Sequence, residues 1–166
     1  MCLVGLAINH FPDFPLVLVA NRDEFHDRPT APLRRWRDIP TVIAGRDLEA
    51  GGTWLGATEQ GRFAVLTNLR NRLPIPPDAP SRGQLVTRFL TSDRPPAQWV
   101  VEQRAVADGY AGFNLIVGEL GGALYSLSNL PGTSGASRVV DDGIHAISNG
   151  PIDEPWPKTQ ALMAAL

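Results

Sequence analysis

The sequence predicts a layered α+β fold in which antiparallel sheets are covered by helices. Three observations carry this: paired β-rich runs at the start of the chain, a central block with helical capping and periodicity, and a return to short strands separated by glycine turns. The 166 residues, 43% hydrophobic and 19% charged, suit one compact domain over 1–166 able to bury a core.

Leu3 to Asn9 and Pro15 to Asn21 are apolar runs separated by His-Phe-Pro-Asp-Phe, whose Pro12 and Asp13 supply turn chemistry, so they form a hairpin. Both runs are almost continuously apolar. That pattern predicts strands covered on both faces and a central place for the hairpin in its sheet. A proline-rich loop, Arg28 to Pro40, precedes a short strand from Thr41 to Ala44. Within it Arg-Arg-Trp-Arg-Asp, Arg34 to Asp38, reads as a solvated loop rather than a phosphate grip.

Trp54 to Thr58 and Arg62 to Asn68 form a second hairpin, with Gly61 taking the positive φ of a tight turn. Pro74, Pro76, Pro77 and Pro80 stiffen the next loop, and Ser81 is placed to cap a helix over Arg82 to Thr91. A second helix runs from Pro95 to about Ala107. Strands follow at Phe113 to Val117, Ala123 to Leu127, Arg138 to Val140 and Ile144 to Ser148, and Trp156 to Leu166 starts a last helix. This tail stops without a cap, which predicts a natural fold that continues beyond Leu166.

A net charge of −2 provides no strong field for nucleic acid or an anionic membrane. The first apolar stretch lacks basic residues ahead of it and is too short to be a membrane span. A single cysteine cannot form an internal disulfide, so the expected compartment is cytoplasmic. Fourteen arginines against one lysine, Lys158, with abundant Ala, Gly and Pro, point to a GC-rich bacterial source. His10, His26 and His145 lack metal-ligand spacing, and no cofactor is expected. Oligomeric state is not encoded legibly.

The cysteine itself stands directly behind Met1. Removal of Met1 would give Cys2 a free α-amine of pKa about 8 beside a thiol of about 8.5, so one residue would supply both nucleophile and base. A small apolar residue in a strand is the plainer alternative. The hairpin brings Asn21, Arg22, Asp23 and Glu24, at the end of strand two, back towards Cys2. There Asp23 can orient the amine, and Arg22 can stabilise thiolate or hold a substrate carboxylate; an exposed ion-pair cluster is the alternative. Asn68 and Asn149 each close an apolar strand and can aim amide N–H groups at a developing oxyanion; a turn asparagine is the alternative for each, above all for Asn149 before Gly150-Pro151. GGTWLG is a turn leading into a strand whose Trp54 packs.

The opening Met-Cys, with ANRDEFHDRP, GGTWLG, the G-x-x-x-x-G-x-x-A-x-L-T-N pattern ending at Asn68, SRGQLVTRFL and GFNLIVG, resembles the NRDE family, the group of transport and Golgi organisation proteins. The resemblance covers nearly the whole chain. It implies a more distant similarity to N-terminal nucleophile hydrolases of the choloylglycine hydrolase and penicillin V acylase type, with a four-layer αββα sandwich, incomplete here at the C-terminus. On that similarity Cys2 is the nucleophile, Asp23 the aspartate that holds the amine, and Asn68 and Asn149 the oxyanion asparagines. Arg22, Asn21 and Trp54 would contact substrate, a small-molecule linear amide or acyl compound. The branch's late arginine has no counterpart before Leu166. Haem or lipid and acyl-CoA trafficking, linked to family relatives, is the competing expectation, with Cys2 or His26 approaching haem iron. An inactive short relative is a third.

Overall fold

In the computed structural model, residues 2–69, 75, 77–130 and 136–166 are described. Among the described residues, ten strands form two antiparallel sheets, accompanied by three α-helices. The smaller has the order β10-β1-β2, from Gly143–Ile147, Leu3–Phe11 and Phe14–Asn21. The larger has β3 to β9 in sequence order: Thr30–Arg35, Val42–Asp47, Leu55–Thr58, Arg62–Asn68, Phe113–Glu119, Leu124–Ser128 and Ala136–Val140.

Alternation along the strands decides what meets what. Val4, Leu6 and Ile8 of β1 pack with Phe63 and Val65 of β6 and Ile116 of β7 in a core between the two sheets. The opposite faces of β6 and β7, carrying Ala64, Leu66, Leu115 and Val117, bury the helices α1 (Gly83–Leu90) and α2 (Pro96–Arg104). On the outside of the small sheet lies α3 (Pro157–Ala165), whose Leu162 stands over Gly5. Phe89 of α1 is fully buried and meets Trp99 of α2 edge-to-face at 5.2 Å.

Most expected elements are present, and Gly61 turns the β5-β6 hairpin at φ +86°. Several differ. Only β1 is central; β2 is an edge strand, with Val19 39% exposed. Its continuous hydrophobicity reflects the inward Leu16 and Leu18 on one face and a poorly covered apolar face on the other. The proline-rich stretch contains β3, where Pro32 sits at the register break between Ala31 and Arg34 on the edge of the large sheet, a position that does not require its missing N–H.

Arg34 to Asp38 is only in part a solvated loop: its four charged residues are exposed, but Arg34 and Arg35 belong to β3 and Trp36 is buried. Trp36 is 3% exposed within the helix-side core, its indole N–H donates to the Ala44 carbonyl at 3.2 Å, and the Arg46 guanidinium lies 4.2 Å above its ring. At α1, Arg82 rather than Ser81 occupies the N-cap position, without a side-chain cap. The second helix ends at Arg104, and a single 3₁₀ turn, Ala107–Gly109, follows. Of the expected loop prolines, Pro74 and Pro76 lie outside the described residues.

Candidate active site

Cys2 immediately precedes the central strand β1, and continued alternation puts it on the face turned towards the large sheet. Leu3 pairs with Asn21 on one side, while Val4 pairs with Ile147 on the other. One step further, these registers set Arg22 and Asn149 on either flank of Cys2. The hairpin expectation that Cys2 and the Asn-Arg-Asp-Glu stretch are neighbours is therefore met by the pairing of the first and last residues of the two strands.

A cavity of about 240 Å³ opens at this end of the sheets. Cys2, Arg22, Asp23, Trp54 and Asn68 all line it. Asn21 does not: it is exposed at the end of β2, and alternation turns it to the opposite face from Arg22. Asn149 is also absent from the lining. It is 7% exposed, and its side-chain amide donates to the Asn68 carbonyl at 2.8 Å. In this arrangement Asn149 is bonded to the backbone of Asn68 and does not itself line the cavity.

Neighbouring hydrogen bonds lock the same corner. The Ser148 hydroxyl donates to the Cys2 carbonyl at 2.6 Å and lies 3.2 Å from Asn149 Oδ1. Asn114 of β7 donates its amide to the Gly150 carbonyl at 2.8 Å and lies 3.3 Å from the Thr67 hydroxyl. Residues from β1, β6, β7 and the β10 exit are thereby held together by buried polar contacts, each costly to leave unpaired.

Burial pushes the Cys2 thiol above its ordinary pKa, opposed by the positive charges of the chain's N-terminus, Arg22 and Arg82 and assisted by Glu24. The resting thiol is therefore protonated at neutral pH. The cavity lining contains no histidine among the described residues. Asp47 is a poor base: burial works to raise its carboxyl, but hydrogen bonds from Arg28 and from the Ala50 and Glu49 amides hold it below the ordinary range.

Arg82 was not singled out by its position in the chain. It precedes α1, lines the cavity, and donates from Nη1 to the Gly112 carbonyl at 3.0 Å. The signal that locates it is a glycine contact. A Cβ on Gly52 would lie 2.7 Å from the Gly83 carbonyl carbon, and one on Gly83 would lie 3.0 Å from the Thr53 carbonyl oxygen. The glycines of GGTWLG and SRGQLV thus let two backbones touch, and that contact holds Arg82 at the cavity wall.

A protein that joins two antiparallel sheets, outer helices and a buried cysteine beside an arginine-rich cavity belongs to a recognisable class of mixed α/β proteins. Residues 1–166 match the model of the Transport and Golgi organisation 2 family, and the chain belongs to that family. It is similar to the Transport and Golgi organization 2 homolog of Mus musculus, 34% identical over 168 residues, covering 95% of this chain and 60% of the relative. The Bos taurus homolog is 35% identical over the same span, and the Drosophila melanogaster protein is 33% identical over 150 residues, 80% of this chain and 53% of the relative. The chain spans about 60% of the length of the mammalian relatives. These relatives are eukaryotic and lend no support to a bacterial source. Among the described residues no helix is long and apolar enough to cross a membrane.

Proposed function

We propose that this chain is the nucleophile-bearing part of a cysteine N-terminal nucleophile amidohydrolase acting on a non-peptide C–N bond. The observation that supports this reading most directly is the convergence of Cys2, Arg22, Asp23 and Asn68 on one cavity at the end of the central strand. The order of layers, two helices, large sheet, small sheet and one helix, agrees with an αββα sandwich of that class.

Because burial keeps the thiol protonated, the nearest suitable base is the α-amine that removal of Met1 would create on Cys2 itself. The amine takes the thiol proton as sulfur bonds to the amide carbon. Asp23 orients that amine, and the Asn68 region, held by Asn149, meets the oxyanion. Collapse breaks the C–N bond, the ammonium returns its proton to the leaving amine, and water then hydrolyses the thioester to a carboxylic acid.

Intact-mass measurement with an acylating amide probe tests it. The expected result is loss of Met1 and one acyl adduct, absent in a folded Cys2→Ala variant. Retained Met1 with an inert thiol, or turnover that survives in folded Cys2→Ala, overturns the proposal.

A further inference from the structure

Ile116, Leu124 and Val140 of β7, β8 and β9 belong to the core between the sheets. On the same face of the same strands, alternation places Asn114, Ser126 and Arg138. These polar positions lie where the small sheet ends at β10, and a second cavity of about 200 Å³ opens there, walled by Leu130, Ile147, Pro151 and Ile152. Among the described residues it shares no lining residue with the cavity at Cys2. Two of its polar groups are already engaged. Asn114 donates to the Gly150 carbonyl at 2.8 Å, and the Ser128 hydroxyl donates to the Phe113 carbonyl at 3.2 Å. Ser126 and Arg138 are directly opposed in the register of β8 and β9, and neither side chain has a hydrogen bond or ion pair to another described residue. Two cross-strand donors thus stand side by side on one cavity wall with nothing to donate to.

We propose that this second cavity binds a small apolar monocarboxylate, its carboxylate on Arg138 and Ser126 and its hydrocarbon body against Leu130, Ile147 and Ile152. The site is independent of the amidohydrolase reading, because Cys2 and its neighbours line a different cavity. A guanidinium presents parallel N–H donors to both carboxylate oxygens, and the Ser126 hydroxyl adds a third donor to the same group. Arg138 is the one charged side chain in the lining among the described residues, so it matches a single negative charge and leaves a phosphate dianion half neutralised. The carboxylates of Asp142 and Asp153, which flank β10, are engaged elsewhere: Asp142 accepts from Asn9, and Asp153 meets His145 and the Ala146 N–H. An apolar cavity of about 150 Å³ holds one benzene, so about 200 Å³ suits a body of one ring. Burial of that body against the aliphatic wall supplies the apolar part of the affinity.

Titration of the full chain with cyclohexanecarboxylate and with its neutral analogue cyclohexanecarboxamide tests the site, with backbone amide chemical shifts locating each compound. The carboxylate should bind at least tenfold tighter than the amide, with shifts centred on Ser126, Arg138 and Ile152. Arg138→Gln should remove that preference, Ser126→Leu should fill the cavity and remove binding of both compounds, and Arg82→Gln, on the other cavity, should keep it. Arg138 is exposed on the edge strand β9, so its substitution leaves the core intact, and the shift map needs no variant at all. Equal affinity for the two compounds, no carboxylate binding, shifts confined to Cys2, Arg22 and Arg82, or a preference unchanged in Arg138→Gln overturns the proposal. Inorganic phosphate displacing the ligand better than acetate does so too. The readout is binding alone, so failure of the amidohydrolase reading leaves this site standing.

Discussion

The Ser148 hydroxyl donates a 2.6 Å hydrogen bond to the carbonyl oxygen of Cys2, 146 residues away in the chain. This bond ties the exit of β10 to the residue that opens the central strand. Ser148 is 1% exposed, so Ser148→Ala leaves a buried acceptor without that donor. The expected cost is about 1–3 kcal/mol, read as a lower urea midpoint with an unchanged slope. A midpoint identical to wild type would remove this bond from the account of the site.

Burial holds the Cys2 thiol proton more tightly than in a free peptide, while Arg22 pulls the other way. In the chain that keeps Met1, the rate of alkylation by iodoacetamide should rise with pH through a midpoint above about 8.5, the ordinary cysteine value. Arg22→Gln should move that midpoint further up, since it deletes a stabilising cation. A downward movement contradicts the assigned electrostatics.

Gly52→Ala places a Cβ against the Gly83 backbone, which has no flexible side chain to yield. It should destabilise the protein by about 1–3 kcal/mol, as overpacking does. Gly109→Ala is the matching control because a Cβ there meets nothing within 4 Å, and its effect should stay within about 0.5 kcal/mol. Chemical denaturation of both variants makes the comparison.

Asp47 is depressed in the folded protein, so its ionised form contributes stability that is complete above the unfolded pKa of about 3.9 and is lost as pH falls through the lower folded value. The stability gap between wild type and Asp47→Asn should be constant near neutrality and close progressively below about pH 4. Urea unfolding across pH 3 to 7 follows this. A gap that widens on acidification would contradict the assignment.

Most strands and all three helices were legible because each follows from local periodicity, turn residues and proline or glycine placement. The errors came where burial depends on distant partners. Nothing within Pro15–Asn21 says that no further strand pairs beyond it among the described residues, so its apolar run could be read as central. Thr30–Arg35 reads as loop because Pro32 lowers its strand signal, yet an edge strand tolerates a residue without an N–H. Trp36, set among arginines, is drawn into the core by helices contributed 50 residues later.

The candidate site divides in the same way. By itself the sequence determined that Cys2 and Arg22 meet, since one short hairpin fixes which ends of two strands adjoin. It also determined that Asn68 ends a strand, and that the residues from Met1 to Leu166 carry the family's blocks in order. Tertiary structure decided the rest. It turned Asn149 onto the Asn68 carbonyl, set Asn21 on the outer face, and brought Arg82 to the cavity through a contact between two glycines. Such choices depend on which faces of separate sheets and helices pack together, and that information resides in long-range burial and close backbone approach, not in any local stretch of the chain.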